Sequence, residues 1–203
     1  MKTAVHTAIL LVSSALIAPI AFAEGDAERG EALAYTCLGC HGIDGYRNAY
    51  PSYRVPRLGG QKAAYLIAAI NGYRDGTREH ATMHGQAASL SDEQVADIAA
   101  YLATRGTATV EAGGSDVETF EKAATCVACH GQNGISVSPA WPTLAGQHED
   151  YIIAALNQYR DGTRKEPVMS QMAAPLSDED VRVFARYYSR LKGLETTQPE
   201  KAD

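Results

Sequence analysis

The sequence predicts an all-α protein that consists of two copies of one domain. Residues 56–104 align without gaps to residues 142–190 at a constant offset of 86, and 25 of these 49 positions are identical. Apolar residues recur at helical spacing, and no segment alternates polar and apolar residues convincingly as a strand. Such internal repetition indicates duplicated domains of roughly 80–90 residues each.

The first 23 residues have the pattern of an export signal. Lys2 supplies a positive charge, Ala8–Ile20 is largely apolar, and Ala21-Phe22-Ala23 places small residues before a cleavage point. Thirteen apolar residues are fewer than the ~20 that span a bilayer as a helix. We therefore expect cleavage after Ala23, with an uncleaved anchor or a core helix as alternatives, and a working location in the periplasm.

Two helices open each copy of the domain. They are predicted at Ala27–Tyr35 and Gln61–Arg74 in the first copy, and at Asp116–Ala124 and Gln147–Arg160 in the second. The second helix of each copy is followed closely by glycine, at Gly76 and Gly162, where a left-handed C-cap ends a helix.

A third helix closes each copy. Ser91 and Ser177 are good N-caps, and the acidic residues that follow them suit the positive end of the helix dipole. Val95, Ile98 and Leu102 then keep one apolar face.

The repeat predicts where the domains begin and end. We expect a first domain over residues 24–106, a linker over 107–115, a second domain over 116–194 and a tail over 195–203. Gly106, Gly113 and Gly114 break the helical pattern around the linker. Upstream of the aligned region Ile43–Val55 is three residues longer than its counterpart, which indicates a loop insertion.

All four cysteines of the chain fall in two C-x-x-C-H motifs. These are Cys37-Leu38-Gly39-Cys40-His41 and Cys126-Val127-Ala128-Cys129-His130. The motif is the attachment signature of c-type haem: two thiols on one side of a helical turn reach two vinyl groups, and the histidine binds iron. The sequence therefore predicts two covalently bound haem c groups.

Other uses of such cysteines fit less well. A zinc site would need further ligands at suitable spacing, and a thioredoxin-like pair would need a βαβ context. A disulfide across two residues would close a strained loop.

Met83 and Met169 are the candidates for the opposite axial ligand. They stand at the repeat offset of 86 and follow the motif histidines His41 and His130 by 42 and 39 residues. A thioether ligand raises the potential of a haem and fills its sixth site. Met172 has no methionine partner in the first copy, so packing is expected for it.

Three further histidines compete with these assignments. His80 and His84 lie beside Met83 and leave a bis-histidine first site open, although the second copy has no histidine at either position. His148 lies at a helix start, where we expect a solvated or capping residue.

These motifs together resemble the dihaem cytochrome c4 family, in which two class I cytochrome c domains are joined. The resemblance covers Glu24–Leu194 and includes the Pro-x-Leu-x-Gly-Gln and Met-x-x-x-Ala-x-x-Leu-Ser-Asp segments of both copies. It implies that Pro56 and Pro142 begin loops whose carbonyls orient the axial histidines. It also implies that the first and last helices of a domain cross.

A glycine facing an aromatic residue is expected at that crossing. Gly30 and Tyr101 fit this pattern in the first domain, whereas the second domain has Thr119 opposite Tyr187. We expect an altered crossing in the second domain.

Electron transfer without a substrate-converting site is the function that this resemblance implies. The expected partners are membrane respiratory complexes, namely a bc1-type donor and a haem-copper oxidase of the cbb3 type. An enzyme, such as a dihaem peroxidase or thiosulfate oxidoreductase, would need an open iron, which the two methionines argue against. A cytochrome subunit of a periplasmic dehydrogenase, for example a sulfide-oxidising flavocytochrome, is the alternative.

The net charge of the chain and its uneven distribution bear on which partners the protein can bind. The chain has a net charge of −6, which argues against nucleic acid because that binding needs a basic surface. Residues 24–106 carry 8 basic and 10 acidic side chains, and residues 107–203 carry 9 and 14. This asymmetry is expected to steer docking.

Four arginines and two tyrosines stay open to two interpretations. Arg74, Arg78, Arg160 and Arg164 suit either haem propionates or the negative ends of helices. Tyrosine hydroxyls suit either haem propionates or amphipathic packing, and Tyr65 and Tyr151, repeated inside a helix, are expected to face the core.

Overall fold

The computed structural model describes residues 25–106 and 123–198, and these residues form eight α-helices. The helices are α1 Ala27–His41, α2 Ala63–Asp75, α3 Ala81–Ala87, α4 Asp92–Thr104, α5 Ala124–His130, α6 Glu149–Asp161, α7 Pro167–Ala173 and α8 Asp178–Arg190. The described residues contain only isolated β-bridges, so the all-α fold class is confirmed. The predicted leader, the linker over 107–115 and Thr119 lie outside the described residues.

Helix ends follow the local sequence. Ser91 and Ser177 are the N-caps of α4 and α8, as predicted, and each also forms a capping box. Gly76 and Gly162 end α2 and α6 with φ angles of 80° and 82°, a left-handed conformation that favours glycine. Asp26 caps α1 by accepting hydrogen bonds from the first-turn amides.

The crossing of α1 and α4 organises the first domain. A Cβ atom at Gly30 would collide with the backbone carbonyl of Asp97 and would lie 2.9 Å from Cβ of Tyr101. Glycine therefore permits the close approach that the resemblance implies. The buried carboxylate of Asp97 accepts hydrogen bonds from the guanidinium of Arg29 and the amide of Asp26, which ties the two helices together.

Two features of the helices were not predicted. α1 continues six residues beyond the predicted end at Tyr35, through the first C-x-x-C-H motif, and α5 likewise runs to His130 although its predicted end was Ala124. The short helices α3 and α7 lie in segments for which no helix was expected, and they carry Met83 and Met169. Each packs against the long helix before it, α3 on α2 and α7 on α6.

The two domains meet about a local twofold axis. Arg78 and Arg164, equivalent in the repeat, pair as an antiparallel β-bridge. The amide of Glu79 donates to the carbonyl of Thr163 over 3.1 Å, and the amide of Lys165 donates to the carbonyl of Thr77 over 2.7 Å. Residues 77–79 and 163–165 thus make the same contacts with each other in both directions.

The inserted loop of the first domain breaks this symmetry. Arg47 and Arg54, both within Ile43–Val55, form ion pairs with Asp150 of α6 at 2.9 and 3.4 Å. The equivalent position in the first domain is Ala64, which carries no charge. The loop therefore braces one side of the interface only.

The segment after α8 returns to the first domain. Glu195 and Gly59 exchange two backbone hydrogen bonds of 3.1 Å, and the hydroxyl of Thr196 donates to Asp44 over 3.2 Å. Part of the predicted tail is therefore a strap between the domains. No helix in the described ranges combines the length and the apolar character that crossing a bilayer requires.

The expectation for Met172 is wrong, and the expectation for His148 holds only in part. Met172 is 37% exposed, because α7 buries Ala173 and turns Met172 outward. His148 occupies the N-cap position of α6, but its side chain makes no capping hydrogen bond and is buried, so it is not solvated. Its surroundings include Arg57 of the other domain, and burial there follows from domain packing.

Candidate haem-binding sites

The histidine of each C-x-x-C-H motif ends a helix and is held by a proline carbonyl. Nδ1 of His41 lies 2.8 Å from the carbonyl oxygen of Pro56, and Nδ1 of His130 lies 2.8 Å from that of Pro142. A carbonyl oxygen only accepts, so Nδ1 carries the proton in both rings. This tautomer leaves the lone pair of Nε2 free, as an iron ligand requires.

The cysteines precede these histidines on the last turns of α1 and α5. All four are unpaired and half-buried. Burial raises the pKa of the Cys37 and Cys126 thiols, the opposite of the lowered pKa that a reactive redox cysteine needs. Within the described parts of the chain, no three His, Cys, Asp or Glu side chains cluster as metal ligands.

The candidate methionines occupy equivalent places in the two domains. Met83 and Met169 are each the third residue of their short helix. The amide of Met83 donates to Nδ1 of His80 over 3.3 Å, and the amide of Met169 donates to the carboxylate of Glu166 over 2.6 Å. Different capping residues thus hold the same backbone position in both domains.

The histidines that competed for the first iron have backbone partners. His80 uses Nδ1 as an acceptor to cap α3, which places its proton on Nε2 and leaves no free lone pair. Nδ1 of His84 lies 2.8 Å from the carbonyl of Tyr73, on the exposed side of α3. The contact of His80 therefore disfavours it as an iron ligand. His84 donates from Nδ1 and keeps a free Nε2, as His41 does, so it is the repeat that favours Met83 over His84, because Met169 is equivalent to Met83 and Ser170 to His84.

The structure separates the four arginines into two pairs. Arg74 donates to the carbonyl of Leu90, just before α4, and Arg160 donates to the carbonyl of Leu176, just before α8. Each also forms an ion pair with the first residue of that helix at 2.6 Å. Arg74 joins α2 to α4 and Arg160 joins α6 to α8, and both remain partly exposed.

Arg78 and Arg164 are instead buried where the domains meet. They are 9% and 5% exposed, and each guanidinium carbon lies 4.5 Å from a tyrosine ring centre of its own domain. Arg164 donates to the hydroxyl of Tyr65 over 2.8 Å, and Arg78 donates to that of Tyr151 over 3.3 Å. Tyr65 and Tyr151 thus bond across the domain interface, which corrects the expectation that they face the core.

Arg78, Arg164, Tyr65 and Tyr151 form an arginine–tyrosine cluster at the domain interface. Its positive charge is not neutralised by any carboxylate of the described residues. Neither Arg78 nor Arg164 has a carboxylate at salt-bridge distance there, and Nε of Arg78 is buried without a hydrogen-bond partner. Burial alone would raise the pKa of the Tyr65 hydroxyl, but the charges of Arg164 and Arg78 outweigh it and lower the pKa. Two buried cations side by side are costly unless an anion joins them.

Haem fits this arrangement. Each haem c carries two propionates, and a carboxylate is the group that pairs best with guanidinium. The orphaned Nε of Arg78 and the two uncompensated charges therefore suit the acidic edge of a haem. The free Nε2 of both motif histidines suits its iron.

Comparison with known proteins places the chain in a family. A family model described as Cytochrome c matches residues 27–106 and again residues 117–192. Cytochrome c4 of Pseudomonas aeruginosa is 34% identical over 204 residues, which cover 90% of this chain and 98% of that protein. The chain belongs to the dihaem cytochrome c4 family. It holds two covalent haem c groups, attached at Cys37 and Cys40 and at Cys126 and Cys129, and it is a c-type electron carrier.

Two other proteins that resemble the chain add to this comparison. A protein named thiosulfate dehydrogenase electron acceptor, from Stutzerimonas stutzeri, is 34% identical over 181 residues, covering 81% of this chain and 83% of that protein. The crystal structure of reduced recombinant cytochrome c4 from Pseudomonas stutzeri superposes with a TM-score of 0.66 at 29% identity, covering 82% and 99% of the two chains. The tandem fold is therefore shared with a solved member of the family.

Proposed function

We propose that this cytochrome carries single electrons through the periplasm, from a bc1-type complex to a haem-copper terminal oxidase of the cbb3 type. The observation that supports electron transfer is the repeated histidine–proline contact, which would prepare an iron ligand in both domains. The two partners are those that the resemblance to the cytochrome c4 family implies. When bound, each haem supplies the one-electron chemistry of iron. The chain's own residues hold the haem, set its potential and keep its sixth site closed.

We infer that His41 and Met83 are the axial ligands in the first domain, and His130 and Met169 in the second. Pro56 and Pro142 position the two histidines through the hydrogen bonds of 2.8 Å. The methionines sit on capped helices that pack against α2 and α6. A closed sixth site disfavours substrate binding at iron, so the protein itself performs no substrate conversion.

Arg78 and Arg164 complete this assignment as partners of the propionates. They are buried cations without carboxylates among the described residues, and both domains contribute to their surroundings. Each guanidinium would neutralise carboxylate charge at the interface and make reduction of the nearby iron easier. The domain interface is thereby part of both haem sites.

A second candidate function follows from one comparison. Because a thiosulfate dehydrogenase electron acceptor is as similar as a cytochrome c4, at 34% identity each, a periplasmic dehydrogenase is the alternative donor. A stable dehydrogenase subunit would purify with its enzyme, whereas a free carrier would purify alone. Gel filtration of the native protein from its host distinguishes the two, and reduction by purified bc1 complex followed by oxidation by cbb3 oxidase tests the first.

The ligand assignment is tested by three methionine variants of the holoprotein. Met83→Ala and Met169→Ala should each lose about half of the far-red sulfur-to-iron absorption of the ferric protein, and each should gain one site that binds carbon monoxide. Met172→Ala, on the same helix as Met169 but exposed, is the matched control and should keep the wild-type spectrum. Full retention of the band in both Met83→Ala and Met169→Ala contradicts the assignment.

A further inference from the structure

Two buried glutamines join the domains through an exchanged pair of contacts. Gln61 and Gln147, equivalent in the repeat, are 4% and 5% exposed. The side-chain amide of Gln147 donates to the carbonyl of Arg57 over 3.0 Å and accepts from the amide of Arg57 over 2.9 Å. Gln61 makes the same two bonds with Thr143, at 3.0 and 2.9 Å.

The peptide unit that donates to each glutamine also supplies the carbonyl that accepts from the motif histidine. The N–H of Arg57 and the carbonyl of Pro56 belong to one planar peptide unit, and that carbonyl accepts from Nδ1 of His41. A continuous chain of hydrogen bonds therefore runs from the His41 ring, through one peptide, to the side chain of Gln147. Gln147 lies in the other domain.

The second domain repeats this chain in the opposite direction. Nδ1 of His130 donates to the carbonyl of Pro142, and the N–H of the same peptide, at Thr143, donates to Oε1 of Gln61. Each domain thus supplies the outermost acceptor for the histidine of its partner domain. Only one orientation of each glutamine amide permits this, because a carbonyl cannot donate and an N–H cannot accept.

We propose that Gln61 and Gln147 are positioning residues that set the haem potential of the opposite domain. An acceptor at the N–H of a peptide polarises it and strengthens its carbonyl as an acceptor. The stronger bond at Nδ1 makes the imidazole a more basic ligand, which stabilises ferric iron and lowers the potential. Gln147 acts in this way on the haem of the first domain, and Gln61 acts on the haem of the second.

This inference rests on the proposed ligation by His41 and His130. A glutamine that only held the domains together would not fix the direction of the change in potential. The hydrogen-bond chain predicts both a crossed relation between glutamine and haem and an upward shift of the potential when the acceptor is lost.

The test compares Gln147→Leu with Gln61→Leu in the holoprotein, with redox titration followed on the resolved haem resonances in NMR spectra. Gln147→Leu should shift the oxidised-to-reduced ratio of the first-domain haem about threefold toward reduced at a given potential, which is ~30 mV upward. The second-domain haem should move much less. Gln61→Leu should give the reverse pattern, and each variant is the matched control for the other.

Further measurements separate the possible failures. Gln147→Met is close in shape and replaces the leucine variant if that variant is unstable. Amide exchange at Arg57 should accelerate in Gln147→Leu, which verifies loss of the contact. With that acceleration and intact low-spin spectra, equal shifts in both haems, no shift, or a shift confined to the glutamine's own domain overturns the proposal. If the wild-type holoprotein lacks the spectrum of histidine–methionine ligation, the proposed ligation is overturned instead.

Discussion

His148 lies at the start of α6, but its ring is buried near the inserted loop of the first domain. Burial there, together with the charges of Arg57 and Arg54, lowers its pKa to about 4, against a smaller opposite effect of Asp150 and Asp44. The unfolded chain has a histidine pKa near 6.5. Between these values the unfolded state binds more protons, so stability falls as the pH falls.

We therefore expect the holoprotein to lose stability between pH 6.5 and 4, with up to about 3 kcal/mol due to His148. Well above pH 6.5 the residue is neutral in both states and contributes no pH dependence. The variant His148→Gln should remove this part of the loss. Guanidinium unfolding at pH 7 and pH 4.5 checks it, and an identical loss in both proteins would show that His148 is not responsible.

At the scale of elements, the spacing between α1 and α4 depends on one glycine. The variant Gly30→Ala should destabilise the holoprotein by about 1–3 kcal/mol, because its Cβ would collide with the Asp97 carbonyl and a backbone atom gives way poorly. Gly39→Ala is the matched control on the same helix, where a Cβ meets nothing within 4 Å. Better helix propensity makes that change neutral or slightly stabilising.

Thermal unfolding of the two glycine variants distinguishes a packing effect from a propensity effect. If Gly30→Ala is as stable as Gly39→Ala, the helices separate without cost and the crossing is not tightly packed.

The short helices α3 and α7 also depend on contacts with their neighbours. They are stabilised by one capping side chain and by packing on a longer helix, since seven residues do not form a helix alone.

On the scale of the whole molecule, the contacts between the domains are numerous enough to hold without the linker. They include the glutamine pairs, the arginine–tyrosine cluster and the strap at Glu195. A protease recognition sequence placed between Gly113 and Gly114 should therefore give cleaved halves that still elute together. We expect a dissociation constant below about 1 μM, or roughly −8 kcal/mol.

The control for this cleavage carries Gln61→Leu and Gln147→Leu together. Loss of four buried hydrogen bonds should weaken association enough for the halves to elute separately. Separation of the cleaved protein without these substitutions would show that the linker, and not the interface, keeps the domains together.

Much of the fold was predictable because its signals are local. Capping serines, C-terminal glycines and helical periodicity act within a few residues, so Ser91 and Gly76 behave as the sequence predicts. α3 and α7 were missed because seven residues are too short for periodicity to register. The end of α1 was missed because the haem motif, with Gly39 inside it, does not read as a strong helix former.

The haem motifs are determined by sequence alone, since covalent attachment needs only two thiols and a histidine at fixed spacing. Duplication likewise shows in the sequence. The tertiary structure decided which arginines are buried: Arg74 and Arg78 share one motif, yet only Arg78 reaches the other domain. It also decided the partners of Gln61 and Gln147, because those contacts join residues 82 and 90 positions apart through a domain interface that no local pattern encodes.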